Sequence, residues 1–474
     1  MQNNQKNRLM KKIVFVLITF FLPYSIAAQE LNGNWSGTLN IQGTRLRVVF
    51  NISEDENGYS CTMDSPDQGV KDIPVTSTSF EKSILKLEVS TARISYEGRY
   101  KDSLIVGTFT QNNLDFPLNL TRQMVENKIA PRPQEPKLPY PYSSENVTFK
   151  NKKANLTLAG TLTIPRGKDS FPVVVLISGS GPQNRNEELM GHKPFLVLSD
   201  YLTRNGIAVL RYDDRGFGES TGNFSTATTA DFATDVESAI TFLKSRKDID
   251  NTNIGLIGHS EGGLIAPMVA ARSKDVSFMI LMAGSGIRED KLLLLQEELI
   301  EKVLGTPETE IKNMLQTNSR IFNTIVSSKD DINLKSNLRI ILEESLKGTS
   351  TLKIPDVTTK EEFIAAQINQ FTSPWVKYFL RYDPSRNLER VKCPVLAING
   401  EKDLQVPPKE NLSAIRGALL KGGNMDITAK EYPDLNHLFQ ESDTGSPMEH
   451  SVIEQTMSPV VLKEVTEWIK VKTK

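Results

Sequence analysis

The rhythm of hydrophobic and polar positions changes twice along this chain of 474 residues. From about residue 30 to 123, apolar and polar residues alternate in short runs, at 35–39, 46–50, 84–87 and 104–109, with turn-forming residues at 56–58 and 111–113 between them. A period of two with frequent turns predicts roughly eight short strands closed into a small all-β barrel or sandwich. From about residue 145 the apolar runs become continuous, at 172–177, 206–211, 253–257 and 277–281, and amphipathic stretches lie between them. One predicted helix covers 196–205 and is closed by Gly206. Another places Phe232, Val236, Ala239, Ile240 and Leu243 on one face and opens with Thr228 and Asp231, spaced as a capping pair. Fully apolar strands alternating with helices predict an α/β unit, a mostly parallel, doubly wound sheet covered on both faces.

The alternation stops at about 288–380, which is charged, Leu-rich and helical in pattern, and resumes at 391–398 before a last helix over 460–471. An insertion after the sixth strand of the unit is expected to form a cap over the sheet's active edge; a bundle that only packs on the core is the alternative. Between the two regular regions, Pro131, Pro133, Pro136, Pro139 and Pro141 predict a stiff, extended linker over 124–144.

Composition narrows the function. Lys plus Arg number 56 against 57 for Asp plus Glu, so no positive field is available to draw nucleic acid. Lys6, Arg8, Lys11 and Lys12 precede an apolar run at 13–22 and small residues at 25–28, the order of a signal peptide spanning 1–28. This run of ten residues falls short of the roughly 20 that cross a bilayer, so export to the periplasm or beyond is expected, without stable membrane insertion. Cys61 and Cys393 fall in different predicted domains. Cys393 opens a strand-like run, where a buried free thiol is the commoner state. The four histidines lie far apart and no Cys/His cluster has metal spacing, so no metal site is expected.

The chemistry concentrates in Gly258-His259-Ser260-Glu261-Gly262, which follows one predicted strand and opens a helix. A serine on a sharp strand-to-helix turn projects its hydroxyl above the sheet, flanking glycines let neighbouring chains approach, and the helix N-terminus favours developing negative charge. The hydroxyl needs a base. His259 adjoins the serine and cannot face its oxygen. His192 follows the first apolar strand of the unit and His450 sits in a polar segment. His437 remains, in a loop before the final helix. Asp403, just past the strand ending at Ile398, is the candidate to orient it; Glu401, Glu289 and Asp290 are rivals. The oxyanion hole is expected to use the backbone N–H of Glu261, whose side chain needs no role, and that of Ser180 or Gly181. Asp213, Asp214 and Arg215 read as loop braces. His192 is left open between a substrate-pocket residue and a structural one.

Together, Gly179-Ser180-Gly181-Pro182, Asp214-Arg215-Gly216-x-Gly218-x-Ser220, Gly258-His259-Ser260-Glu261-Gly262 and Gly400-x-x-Asp403 resemble the α/β-hydrolase superfamily over about 145–474, and within it exported bacterial carboxylesterases related to serine aminopeptidases and prolyl oligopeptidases. The resemblance implies hydrolysis of an ester or amide through an acyl-enzyme without metal or cofactor. It departs at Ser178-Gly179, where many relatives carry His-Gly. The leading expectation is a carboxylesterase for small or medium acyl esters, with Ser260, His437 and Asp403 as its triad. The alternatives are a serine peptidase, whose ammonium-binding carboxylates could be Glu297, Glu298 and Glu301, and a binding protein carrying a vestigial hydrolase module.

Overall fold

A computed structural model describes residues 31–41, 44–56, 58–66, 70–92, 94–101, 103–111, 114–122, 131–347 and 360–474. The expected leader, and the turn residues Asn57, Asn112 and Asn113, lie outside them.

Among the described residues the first region forms nine strands: β1 (Gly33–Ile41), β2 (Thr44–Asp55), β3 (Gly58–Ser65), β4 (Val70–Pro74), β5 (Ser77–Glu81), β6 (Ile84–Val89), β7 (Ile94–Lys101), β8 (Leu104–Gln111) and β9 (Leu114–Thr121). They make one antiparallel sheet in the order β4-β3-β2-β1-β9-β8-β7-β6-β5. The sheet curls until Tyr59 of β3 and Phe80 of β5 meet edge to face, with ring centroids 6.2 Å apart. Alternation accounts for the curl, because one face must be hidden: Trp35, Phe50, Tyr96 and Phe109 fill the interior. The Tyr96 hydroxyl is satisfied by the Leu118 carbonyl at 3.1 Å. The short β4 and β5 carry little apolar pattern, which is why the sequence suggests fewer strands.

The proline stretch is not a free spacer. Its described part is tied along the α/β unit: the Arg132 guanidinium donates to the carbonyls of Ile453, Met190 and Ser451, the Gln134 amide donates to that of Met457, and Glu135 pairs with Lys193 at 2.9 Å. Prolines block a hydrogen-bonded ladder of its own, so neighbouring loops satisfy its polar side chains instead.

The second sheet contains β10 (Ser143–Asn151), β11 (Leu156–Ile164), β12 (Phe171–Ile177), β13 (Ala208–Tyr212), β14 (Ile249–His259), β15 (Phe278–Met282), β16 (Val395–Gly400) and β17 (Ile427–Tyr432), in the order β10-β11-β13-β12-β14-β15-β16-β17. The β10–β11 and β11–β13 pairs are antiparallel; the remaining neighbours are parallel. Helices α1 (Pro194–Arg204), α2 (Thr229–Lys244) and α3 (Gly262–Ala270) follow β12, β13 and β14. Thr228 and Asp231 cap α2, the Thr228 amide donating to the Asp231 carboxylate at 3.0 Å. Between β15 and β16 come α4 (Glu289–Val303), α5 (Glu308–Ser327), α6 (Asp331–Ser345), α7 (Lys360–Phe371), α8 (Pro374–Arg381) and the short α9 (Ser385–Leu388), and α10 (Pro408–Lys421) and α11 (Pro459–Lys472) complete the chain. Apolar residues of α2, α3 and α10 bury one face of the sheet, and those of α1 and α11 the other. The inserted helices have their own core, around Ile321, Phe322, Ile325, Leu338, Phe363 and Ile364. Cys61 and Cys393 are both free, and burial pushes both thiols up to about 12.

Candidate active site

Ser260 occupies the turn from β14 into α3 with φ at +53°, a left-handed conformation that costs a non-glycine residue on the order of 1–3 kcal/mol. The surroundings hold it there. Its amide donates to the Met282 carbonyl at 2.9 Å. A methyl on Gly258 would lie 2.0 Å from the Gly262 carbonyl oxygen, and one on Gly262 would lie 2.1 Å from that of Ile177. The turn is this sharp because both positions lack a side chain.

Asp403 follows the tip of β16. Its Oδ1 accepts from the amides of Gln405 at 2.9 Å and Val406 at 2.8 Å, and its Oδ2 accepts from His437 Nδ1 at 2.8 Å. Both side chains are buried. With Nδ1 engaged, Nε2 is the ring atom left to meet a hydroxyl. The rival carboxylates have other partners: Glu401 accepts from the Asp434 amide, Asp290 pairs with Arg288, and Glu289 accepts from the Ser285 hydroxyl. The His437 ring lies 4.8 Å from that of His259, the residue before Ser260. His259 is turned to Glu187 through Nδ1 and to the His437 carbonyl through Nε2.

The loop after β12 passes directly over the serine: a methyl on Gly179 would lie 3.2 Å from Ser260 Cβ. Ser180 and Gly181, the latter at φ +89°, continue this loop. It is braced from below by Asp214, which accepts from the Ser178 hydroxyl and the Gln183 amide, both at 2.9 Å. Burial pushes the Asp214 carboxyl up to about 8. Its neighbours brace the flanks. Arg185 grips Asp213 through Nε at 3.0 Å and Nη2 at 2.7 Å, and Arg215 grips Asp235 at 2.7 and 2.9 Å.

A cavity of about 180 Å³ opens beside Ser260, walled by Ser180, Glu261, Leu264, Leu292, Trp375 and Glu289 among others. Two of these residues are buried acids. The sequence asks nothing of the Glu261 side chain, yet it is buried and accepts from Thr229 Oγ1 at 2.7 Å and from Trp375 Nε1 at 2.9 Å. Burial raises its titration despite those donors. Glu289 is likewise fully buried. Its Oε2 has no partner, and burial raises its titration well above the ordinary value. The sequence offers it only as a rival to Asp403, and nothing in the local pattern marks it as buried beside the cavity. Glu187, a third buried acid beside the site, sits in an irregular loop and was not singled out either.

His192 does not line this cavity. It is fully buried, with Nδ1 on Thr456 Oγ1 at 3.0 Å and Nε2 on the His450 carbonyl at 2.7 Å; burial and the Arg132 charge lower it to about 4. Of its two readings, these contacts favour the structural one. His450, in a polar segment, is also buried, and burial lowers it to about 3. Among the described residues no group of three or more His, Cys, Asp or Glu side chains is placed to hold a metal ion, and no helix is long and apolar enough to cross a membrane.

A family model described as serine aminopeptidase S33, within the α/β-hydrolases, matches residues 193–443. This chain belongs to that family. The α/β hydrolase is 26% identical over 313 residues to Esterase EstD of Thermotoga maritima, a match covering 66% of this chain and 65% of that relative's length. It is 24% identical over 318 residues to an uncharacterized 31.7 kDa Escherichia coli protein of the traX-finO intergenic region, covering 66% of this chain and 95% of that one. Similar solved structures include the Pyrococcus furiosus esterase Pf2001, with 16% identity, a TM-score of 0.42 and coverage of 74% of this chain and 95% of that one. Est1E from Butyrivibrio proteoclasticus is another, with 14% identity, a TM-score of 0.38 and coverage of 69% and 98%.

Proposed function

We propose that this hydrolase is an exported carboxylesterase that cleaves small or medium acyl esters through an acyl-enzyme on Ser260. The observation carrying this reading is the buried Asp403–His437 hydrogen bond, with the loop of Gly179 lying on the strained Ser260 turn. His437 Nε2 takes the hydroxyl proton as Ser260 Oγ attacks the ester carbonyl, and Asp403 stabilises the imidazolium that forms. The carbonyl oxygen becomes negative between the amide of Glu261 and that of Ser180 or Gly181. Collapse of the tetrahedral species breaks the bond to the alkoxy oxygen, which leaves with the proton from His437. Water, deprotonated by the same ring, then releases the carboxylic acid. The cavity volume and the apolar Leu264, Leu292 and Phe379 suit a short or medium acyl chain. The resemblance to Esterase EstD supports the choice of ester.

One observation favours a second reading, an aminopeptidase: the unpartnered Glu289 Oε2 at the cavity wall could pair with a substrate ammonium. The cap glutamates weighed from the sequence are engaged elsewhere, Glu297 with Asn318, Glu298 with Lys302 and Glu301 with Thr306. The test is turnover of p-nitrophenyl esters from acetyl to octanoyl, and of aminoacyl p-nitroanilides, by wild type and Ser260→Ala. Ester turnover by wild type alone supports the esterase, anilide turnover moves the assignment to the peptidase, and full activity in Ser260→Ala removes the triad. Export rests on the leader pattern. N-terminal sequencing of the protein recovered outside the cytoplasm should begin at Gln29 or Ala28, and an intact Met1 there would contradict it.

A further inference from the structure

His259 adjoins Ser260 and takes no part in the steps above, yet its two ring nitrogens both face atoms that only accept: Nδ1 faces Glu187 Oε1 at 3.0 Å and Nε2 faces the His437 carbonyl oxygen at 3.0 Å. A neutral imidazole carries one N–H, so with Glu187 as the carboxylate both contacts are satisfied only by the imidazolium. The same Glu187 oxygen also accepts the Gly179 amide at 2.8 Å. Glu187 and His259 are buried, Glu187 holds φ +52°, and its second oxygen has no partner. A buried ion pair with an unsatisfied oxygen contributes little to stability, since desolvation of both ions offsets their attraction. What it does here is geometric. Through three hydrogen bonds it ties together the loop after β12 that lies on Ser260, the Ser260 turn itself, and the backbone of the loop that presents His437.

We propose that Glu187 and His259 form a buried ion pair that sets the oxyanion loop and the His437 loop in register with Ser260, making both of them positioning residues of the reaction. This rests on Ser260 and His437 carrying the chemistry. His437 is then held at two points, its ring by Asp403 and its backbone by His259. The titratable groups facing His259 are Glu187 after β12, Asp403 after β16, and His437 and His450 after β17. Burial works against the charge on the ring, but Glu187, the His437 carbonyl and Asp403 outweigh it, so His259 titrates above the ordinary histidine value. As pH rises through that value the ring keeps one N–H. A lone pair then faces either the carboxylate or the His437 carbonyl, and one of the loops is released.

Two measurements test this. Nitrogen NMR of the full wild-type protein, with His259 assigned by its absence in His259→Gln, should show both ring nitrogens protonated at neutral pH; a neutral ring there overturns the proposal without reference to activity. The pH profile of kcat is the second. Glu187→Gln keeps an acceptor for Gly179 and His259 but removes the charge, and should move the alkaline limb down by about one to three pH units. Glu187→Ala should lower kcat about 10- to 100-fold with little change in KM, as expected of a small misplacement of reacting groups. An alkaline limb that stays in place in Glu187→Gln, or an unchanged kcat in Glu187→Ala, overturns the proposal. Failure of the esterase reading itself would register separately, as retained activity in Ser260→Ala.

Discussion

The indole Nε1 of Trp375, on α8 of the inserted helices, donates to the carboxylate of Glu261, the residue immediately after Ser260, at 2.9 Å. This contact latches the insertion to the Ser260 turn through a buried acid. Hydrogen bonds to charged groups are worth about 1.5–3 kcal/mol, against about 1 kcal/mol for neutral pairs. Trp375→Phe keeps the stacking on Phe379, whose ring lies 4.7 Å away, and removes only the donor. It should lower the urea midpoint of wild type, and lower it less in a Glu261→Gln background. Equal losses in the two backgrounds would show that the contact carries no coupling energy.

Asp403→Asn should be nearly inactive while folding normally. The asparagine must keep its oxygen on the amides of Gln405 and Val406, which turns its NH₂ toward His437 Nδ1. That nitrogen becomes the acceptor, the proton moves to Nε2, and the ring can no longer take a proton from Ser260. A fall in kcat on the order of 10³- to 10⁴-fold is expected with an unchanged melting temperature. Retention of more than a tenth of wild-type kcat would count against the pairing as the working base.

The contribution of Asp214 to stability should fall as pH rises from acid to mildly alkaline, opposite in sign to that of the buried His192 and His450, whose lowered values favour the fold as pH rises towards 6.5. Asp214 titrates at about 8 in the fold against an ordinary value of 3.8, so the folded protein holds a proton that the unfolded chain has released. Its contribution is complete below 3.8, declines as pH rises through about 8 and is constant beyond. Glu261 and Glu289 are raised as well and act in the same direction. Asp214→Asn has no proton to lose, so its urea midpoint should change less between pH 5 and pH 9. An identical change in the two proteins would contradict the buried, protonated state of Asp214.

Gly262→Ala places a methyl 2.1 Å from a backbone oxygen of β12, which has no room to yield. The cost should exceed about 3 kcal/mol, seen as loss of soluble protein or a large drop in melting temperature. Gly417→Ala is the control. A methyl there meets nothing within 4 Å, and in mid-helix it should stabilise by about 0.5–1 kcal/mol.

Much of the fold was legible because its signals are local. Continuous apolar runs mark the strands from β12 to β16, the capping pair Thr228 and Asp231 marks the start of α2, and the break in alternation marks the helices between β15 and β16. The Ser260 turn was legible because a strand, two glycines and a helix surround it within a dozen residues. The antiparallel β10 and β11 and the polar β4 and β5 were not singled out, since their pattern does not stand out from the neighbouring loops.

The sequence by itself determined which residues could do chemistry: one serine on a strand-to-helix turn, a histidine in the last loop and an acid after the strand at 395–400. Only the tertiary structure decided which acid meets His437, that His192 lies buried away from the cavity, and that Glu187, Glu261 and Glu289 are buried beside Ser260. The reason is the range of the interactions. Periodicity and turn chemistry depend on neighbours a few residues away. The partners of a buried charge come from distant parts of the chain, as Glu187 does for His259 across 72 positions and Trp375 for Glu261 across 114.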